Sequence, residues 1–296
     1  MDSEIWLSLI IPSKSRDDPK LWNLLKSIRT QDFPKDRLET LAITEGTSES
    51  AKSIGIRKAK GKVIGILASD NILAYNSFLM TMYLSTDLLG ACFPSHYAPY
   101  GNALNRYFAL FGCNDPIPFY LGKNDRLTHY ETGYNRLLEG TTLGDNGFFV
   151  CKKYIEKTDL DHYFHIDNAS ELGFTPRRIW GAIIHDTSDS LWTILRKRYH
   201  YAMQHGFNKD RRWHMITLKD IPRLVWFVVA SLTIIQPLLI ACYGYSKVKD
   251  KAWFLHPIVC LSFLFLYATM TVHLVLRSFY RWLSVQLGGR KVCSGH

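Results

Sequence analysis

The chain opens with apolar runs and amphipathic segments in alternation. Trp6 to Ile11 (WLSLII) is an apolar run closed by Pro12, the pattern of a buried parallel strand that runs into a loop. After the polar SKSRDD, the segment Pro19 to Gln31 carries Leu21, Leu24, Leu25 and Ile28 at helical spacing, with Pro19 at a helix start. A second apolar stretch, Glu39 to Thr44, follows the turn-like DFPKDR and leads into EGTSES. A helical segment over Ser48 to Lys60, Gly61 and a third strand over Lys62 to Leu67 come next, ending at Ala68-Ser69-Asp70-Asn71. Strands alternating with helices predict an α/β fold with a parallel sheet and a ligand site at the C-terminal edge of its strands.

From Ile72 to Leu143 the pattern weakens. It predicts a helix over Asn76 to Leu88 and a weak strand over Gly90 to Pro94, then aromatic-rich loops, HYAPYGNALNRYF and NDPIPFYLGKNDR, that predict no element. A strand over Gly147 to Cys151, a helical turn over Lys152 to Lys157 and a strand over Arg178 to Ile184, ending at His185, follow. Ser190 to Gln204 sets Leu191, Trp192, Ile194 and Leu195 beside a basic face, a helix suited to a membrane interface.

Two long apolar runs close the pattern. Leu224 to Tyr245 contains no charge, and Ala252 to Leu276 none apart from two histidines. Each is long enough to cross a hydrocarbon core of about 30 Å as a helix. The expectation is a soluble domain over 1–190, a basic interface segment over 190–222, a two-helix transmembrane hairpin over 223–277 and a basic tail over 278–296. Such a hairpin returns the chain to its starting side, so domain and tail would both face the cytoplasm. Basic flanks agree with the positive-inside rule, while Lys247, Lys249 and Lys251 in the far loop oppose it. Buried core helices or a re-entrant insertion are the alternatives.

Charge and cysteine usage narrow the partners. The net charge is +10, and Arg196, Lys197, Arg198, Lys209, Arg211, Arg212, Lys219 and Arg223 precede the first apolar run, where they would meet acidic headgroups. A membrane is therefore expected as partner, and nucleic acid is not. Cys92, Cys113, Cys151, Cys242, Cys260 and Cys293 form no CxxC pair and no zinc spacing, which favours a reduced soluble domain. The chain passes from MDSEIW directly into a strand, so no signal peptide is expected.

LSLIIPSKSR, SIRTQDFP, ITEGTSES and AKSIGIRKAKGKVIGILASDN occur in that order. In this register the chain resembles the nucleotide-binding half of the inverting family 2 glycosyltransferases, which have the GT-A fold. The resemblance continues through GDNGFFVCKK and HIDNASEL to His185. It implies a Rossmann-like, mostly parallel sheet flanked by helices and a nucleotide-diphosphate-sugar donor. Pro12, Ser13, Lys14, Glu45, Ser69, Asp70, Asn71 and Asn146 would contact that donor. By the same resemblance Asp70 is the second acidic residue of the Asp-x-Asp metal motif, with Ala68 in place of the first. Asp70 and His185 would hold a divalent cation, Mn2+ or Mg2+, which hard oxygen ligands suit. A solvated loop lysine at position 14 and a surface histidine at 185 are the bland alternatives.

Inverting transfer needs a carboxylate base near the acceptor proton. By resemblance Asp167 is the candidate, although Ile-Asp replaces the usual Glu-Asp pair, and Asp145 competes with it. GDNG is also a sound tight turn in its own right. A membrane anchor behind the transferase domain suggests a lipid-linked acceptor, either a polyprenyl phosphate or a glycolipid. Arg196, Arg198, Arg211 and Arg212 are the candidate ligands of a lipid phosphate. GCNDPIPFYLGKNDR either closes over the donor or acceptor, or packs on the sheet as an insertion. A nucleotide-sugar-binding scaffold whose metal motif decayed at Ala68 is the competing function.

Overall fold

The computed structural model describes residues 4–96, 101–112, 115–121, 147–155, 177–185, 190–205 and 218–288. Among these residues seven strands form one sheet: β1 (Leu7–Pro12), β2 (Leu38–Ile43), β3 (Val63–Ile66), β4 (Asn71–Leu73), β5 (Ala91–Ser95), β6 (Phe148–Cys151) and β7 (Arg177–His185). Their order is β2-β1-β3-β6-β5-β7-β4. β6 runs antiparallel to both β3 and β5, and β4 antiparallel to β7, while the other three pairs are parallel. Five of the seven strands thus point one way, as the α/β reading expected of a mostly parallel sheet.

β1 is central because both of its faces are apolar. Leu7, Leu9 and Ile11 enter one core with Val63, Leu67, Phe149 and Ile183, while Ile10 enters the opposite core with Ile64, Ile66, Phe148 and Val150. The first face is covered by α1 (Pro19–Arg29) and α3 (Phe78–Leu89), through Leu21, Leu24, Ile28, Phe78, Leu79 and Met82. Asp18 caps α1 by accepting a hydrogen bond from the Lys20 amide at 2.9 Å, and Thr47 caps α2 (Ser48–Lys58) through the Ser50 amide. α2 lies on the other face and comes very close to β1 at Gly55, where a Cβ would stand 2.4 Å from Ile10 Cγ2. That close approach gives the glycine of SIGIR a packing reason. Ser8, buried inside β1, donates to Glu39 at 2.5 Å and accepts from the Gly61 amide at 2.8 Å.

A separate core lies under the C-terminal helices. Two short helices, α4 (Ala103–Phe111) and α5 (Ile117–Tyr120), and a helical turn after β6, α6 (Lys152–Ile155), follow in the domain. Beyond β7 come α7 (Leu191–His205), α8 (Ile221–Thr233), α9 (Ile235–Lys247), a 3-10 turn over Lys251–Leu255 and α10 (His256–Gly288). Tyr107, Phe108, Phe111, Phe119 and Tyr120 pack there against Ile194, Phe227, Ala241, Trp253, Cys260 and Phe263.

Three expectations are corrected here. HYAPYGNALNRYF does not end in a loop: α4 is capped by Asn102, which accepts from the Asn105 amide at 2.8 Å, and closed by Gly112 in the left-handed region. The amphipathic helix after Ser190 forms, with Ile194 buried and Leu191 and Leu195 packed on the helical core, so of the four apolar residues Leu191, Trp192, Ile194 and Leu195 only Trp192 is left open, at 73% exposure. A hairpin of two straight spans is not formed. Among the described residues one helix, over Lys251–Tyr280, is long and apolar enough to cross a membrane, whereas Leu218–Thr233 and Ile235–Lys247 form a pair bent by 84°. The bend falls at Ile234, a β-branched residue at φ +63°, which breaks the helical backbone.

Candidate functional site

The first three strands end at one edge. The Ser13 amide donates to the Ile43 carbonyl at 2.9 Å and the Leu67 amide to the Ile10 carbonyl at 3.0 Å, so Pro12, Ser13, Glu45 and the Ala68–Asn71 turn share that edge. Ser13 is half-buried, and Lys14 and Glu45 are exposed. The turn after β3 is closed by the Asn71 amide on the Ala68 carbonyl at 3.1 Å, and the chain then reverses into β4. Asn71 is fully buried there. Asp70 and Ser69 stay partly open.

The β4–β7 register brings the two metal candidates together. Asn71 pairs with His185, so the residue before β4 meets the last residue of β7, and His185 Nε2 lies 3.2 Å from Asp70 Oδ1. Each side chain is about one-fifth exposed, 21% for Asp70 and 22% for His185. The contact is poorly aligned for a hydrogen bond, and Asp70 Oδ1 is buried without one. Burial pushes the Asp70 carboxyl upward, but His185 together with Lys20 and Lys197 outweighs it and holds the carboxyl below its ordinary value. The His96 ring lies 6.1 Å from that of His185, centre to centre.

The geometry of this pair fits a divalent cation. Two neighbouring ligands of an octahedral ion at about 2.1 Å stand about 3 Å apart, close to the spacing of Asp70 and His185. No cluster of three His, Cys, Asp or Glu side chains suited to a metal occurs among the described residues. A cation held by these two side chains would therefore draw its remaining ligands from water or from a bound substrate.

The support behind Asp70 lies in SIRTQDFP, whose contribution is structural. Gln31, buried at the end of α1, donates its amide to the Tyr75 carbonyl at 3.0 Å and accepts from the Leu79 amide at 3.1 Å. Ser27 accepts from the Leu73 amide at 3.2 Å. Together they tie the segment after the Asp70 turn to α1. Gly147, the last residue of GDNG, donates its amide to the Ile66 carbonyl at 2.8 Å with φ +79°, and a Cβ there would stand 2.9 Å from Ile183. Gly147 is thereby anchored at the end of β3. Asp145 and Asn146 lie outside the described residues, as do Asp167, Arg211 and Arg212.

The remaining lipid-phosphate candidates separate. Arg196 is exposed on α7. Arg198 instead points to protein: its Nη2 lies 2.9 Å from Asp115 Oδ2, and its Nε donates to the same oxygen at 3.1 Å. Asp115 is buried and also accepts from the Tyr267 hydroxyl of α10 and from the Ile117 amide at 2.9 Å. Arg198 is a structural ion-pair partner, and Asp115 belongs to the helical core rather than to the donor edge. Sequence reasoning placed neither, because their pairing spans 83 residues.

No protein-family model matches the chain, and no curated protein matches it in sequence. Among solved structures, residues 1–349 of S. aureus TarS share 12% identity, with 88% of this chain and 91% of that chain covered and a TM-score of 0.36. A mannosyltransferase from Pyrobaculum calidifontis, in complex with GDP-Man and Mn2+, shares 12% identity over 86% of this chain and 85% of that chain, with a TM-score of 0.42. A197 from STIV shares 10% identity over 58% of this chain and 81% of that chain, with a TM-score of 0.34. Overlaps this loose carry no argument about chemistry, and none is drawn from them.

Proposed function

We propose that the chain is a membrane-associated inverting glycosyltransferase of GT-A type that moves a sugar from a nucleotide diphosphate to a lipid-linked acceptor. The observation that carries the reading is the Asp70–His185 pair at the edge where β1, β2 and β3 end, the usual place for a ligand in such sheets. Negative charge grows on the diphosphate as the glycosidic bond breaks, and a cation held by Asp70 and His185 would neutralise it. Lys20 and Lys197 add positive potential at the same place. Pro12, Ser13, Lys14 and Glu45 are the proposed contacts of the nucleoside and Ser69 that of the donor sugar, with Asn146 proposed on sequence grounds. Asp167 is the proposed general base, with Asp145 as competitor. An acceptor that is already an ionised phosphate needs little base help, and the carboxylate then positions the sugar.

The lipid acceptor is supported by the apolar helices fused to the domain and by exposed Arg196. Arg211 and Arg212 stay candidates for its phosphate on sequence grounds. Full-length protein incubated with nucleotide sugars, Mn2+ and a polyprenyl phosphate should release nucleoside diphosphate. Asp70→Ala should lower that release by at least ~100-fold while folding is kept. Nucleotide binding without turnover for any donor would favour the scaffold function. Near-wild-type turnover of Asp70→Ala would remove Asp70 from the donor site.

A further inference from the structure

Both ends of the bent pair are fastened to the same side of the molecule. At the start of α8, Arg223 donates to the Leu121 carbonyl at the end of α5. Past the end of α9, Asp250 forms a two-point ion pair with Arg106 of α4, at 2.8 and 3.3 Å, and His256 Nδ1 lies 2.7 Å from the Tyr107 hydroxyl. The Arg106 guanidinium also donates to the Gly101 carbonyl. α4 and α5 are inserted between β5 and β6 of the sheet, and α4 begins eight residues after β5 ends, so the bent pair is fastened to a segment that leaves the sheet and returns to it. α5 fills the notch of the bend, with the Tyr120 and Phe227 rings 4.9 Å apart and the Tyr120 hydroxyl donating to Gln236 at 2.7 Å.

We infer that the bent pair is a re-entrant wedge that enters one leaflet of a lipid bilayer from the domain side and returns to it. The loop over 246–255 therefore lies on the same side as the donor site. Each arm has 13 residues, about 20 Å of helix. A bend of 84° then puts the tip roughly 13 Å from the line joining the ends, near the ~15 Å half-thickness of a bilayer core.

The outward surface has the chemistry of lipid contact. Trp226, Leu232, Ile235 and Leu239 are 53%, 60%, 66% and 62% exposed around the tip. The charges collect at the two ends: Lys219 and Arg223 at the start, Lys247, Lys249 and Lys251 at the finish. Lys247 and Lys249 lie over the Tyr243 and Tyr245 rings, at 5.2 and 4.9 Å. Aromatic rings with lysine beside them suit a headgroup zone. The three lysines that oppose the positive-inside rule in a spanning hairpin agree with it once their loop is on the domain side.

The inference rests on membrane association, and the test separates the two. Full-length protein is first floated with vesicles of phosphatidylcholine and phosphatidylserine. Recovery of the protein at the bottom of the gradient would overturn lipid contact altogether. In sealed membrane vesicles, Lys249→Cys is then treated with an impermeant maleimide, beside Lys26→Cys on α1 as the marker of the domain side. Labelling above the wild-type background, from the same face as Lys26→Cys, is expected. Labelling from the opposite face only would overturn the wedge and leave the membrane anchor standing. Exchange of the ion pair gives a second readout: Arg106→Asp should lower the melting temperature, and adding Asp250→Arg should restore most of it. A double variant no more stable than Arg106→Asp would show that the two residues do not meet in the membrane-bound protein, and it would overturn the domain-side placement of the loop.

Discussion

The sheet core and the helical core of this chain differ in the charge that they bury. On the sheet, Leu7, Leu9, Ile11, Val63 and Leu67 pack with Phe78, Phe149 and Ile183, and the buried polar groups there, Ser8, Gln31 and Thr86 among them, are uncharged. Under the C-terminal helices, Tyr107 and Phe119 meet Phe227 and Trp253 from segments more than a hundred residues away. There the packing is pinned by polar pairs: Arg198 on Asp115, Arg106 on Asp250, Tyr107 on His256 and Tyr120 on Gln236. A core of neutral side chains tolerates many changes that conserve volume. A core pinned by buried charge depends on particular partners, because removing one leaves the other uncompensated.

That contrast can be broken at named residues. Asp115→Ala should have the largest effect on stability, about 3 kcal/mol, the lower end for a broken buried pair because Arg198 is 28% exposed. Limited proteolysis should show the loss in the helices beyond α7 and not in β1 to β3. Equal loss in both regions would mean that the two cores unfold as one. Gln31→Leu tests the other side. It leaves the Tyr75 carbonyl and the Leu79 amide without their present partner, which costs about 2 kcal/mol. Chemical denaturation should place that loss in the sheet region, together with weaker nucleotide binding at the Asp70 turn.

The smallest effect concerns pH. Because the Asp70 carboxyl is held below its ordinary value, its charged form stabilises the fold above that value, and the contribution is lost as pH falls through the lowered pKa. Asp70→Asn should therefore melt earlier than wild type at pH 7, and the gap should close below about pH 4. A gap that persisted into that acid range would assign the effect to packing and not to charge.

The donor edge was more legible than its closure. LSLIIP and KVIGIL read as buried strands because a strand covered on both faces has a continuous apolar run. β4 is only three residues long, below the length at which a period of two can be recognised, so the approach of Asp70 to His185 was implied by the resemblance, while the β4–β7 pairing that makes it was not readable. α4 was missed although Asn102 and Gly112 bracket Leu104, Tyr107, Phe108 and Phe111 at helical spacing. The aromatic residues on both sides hid that period. The spanning hairpin was expected because hydropathy counts apolar length and is blind to direction. The bend at Ile234 has no glycine or proline at that position to announce it.

By itself the sequence determined the alternation of strands and helices, the edge on which Ser13, Glu45 and Asp70 meet, and the presence of an apolar, basic-flanked C-terminal region. These follow from local periodicity and composition, which act within a few residues. Only the tertiary structure decided that the β4–β7 register sets His185 beside Asp70, that Arg198 pairs with Asp115, and that Asp250 pairs with Arg106. Each of those depends on a contact between segments far apart in the chain, and the charge, register and backbone angle that fix it have no local signature.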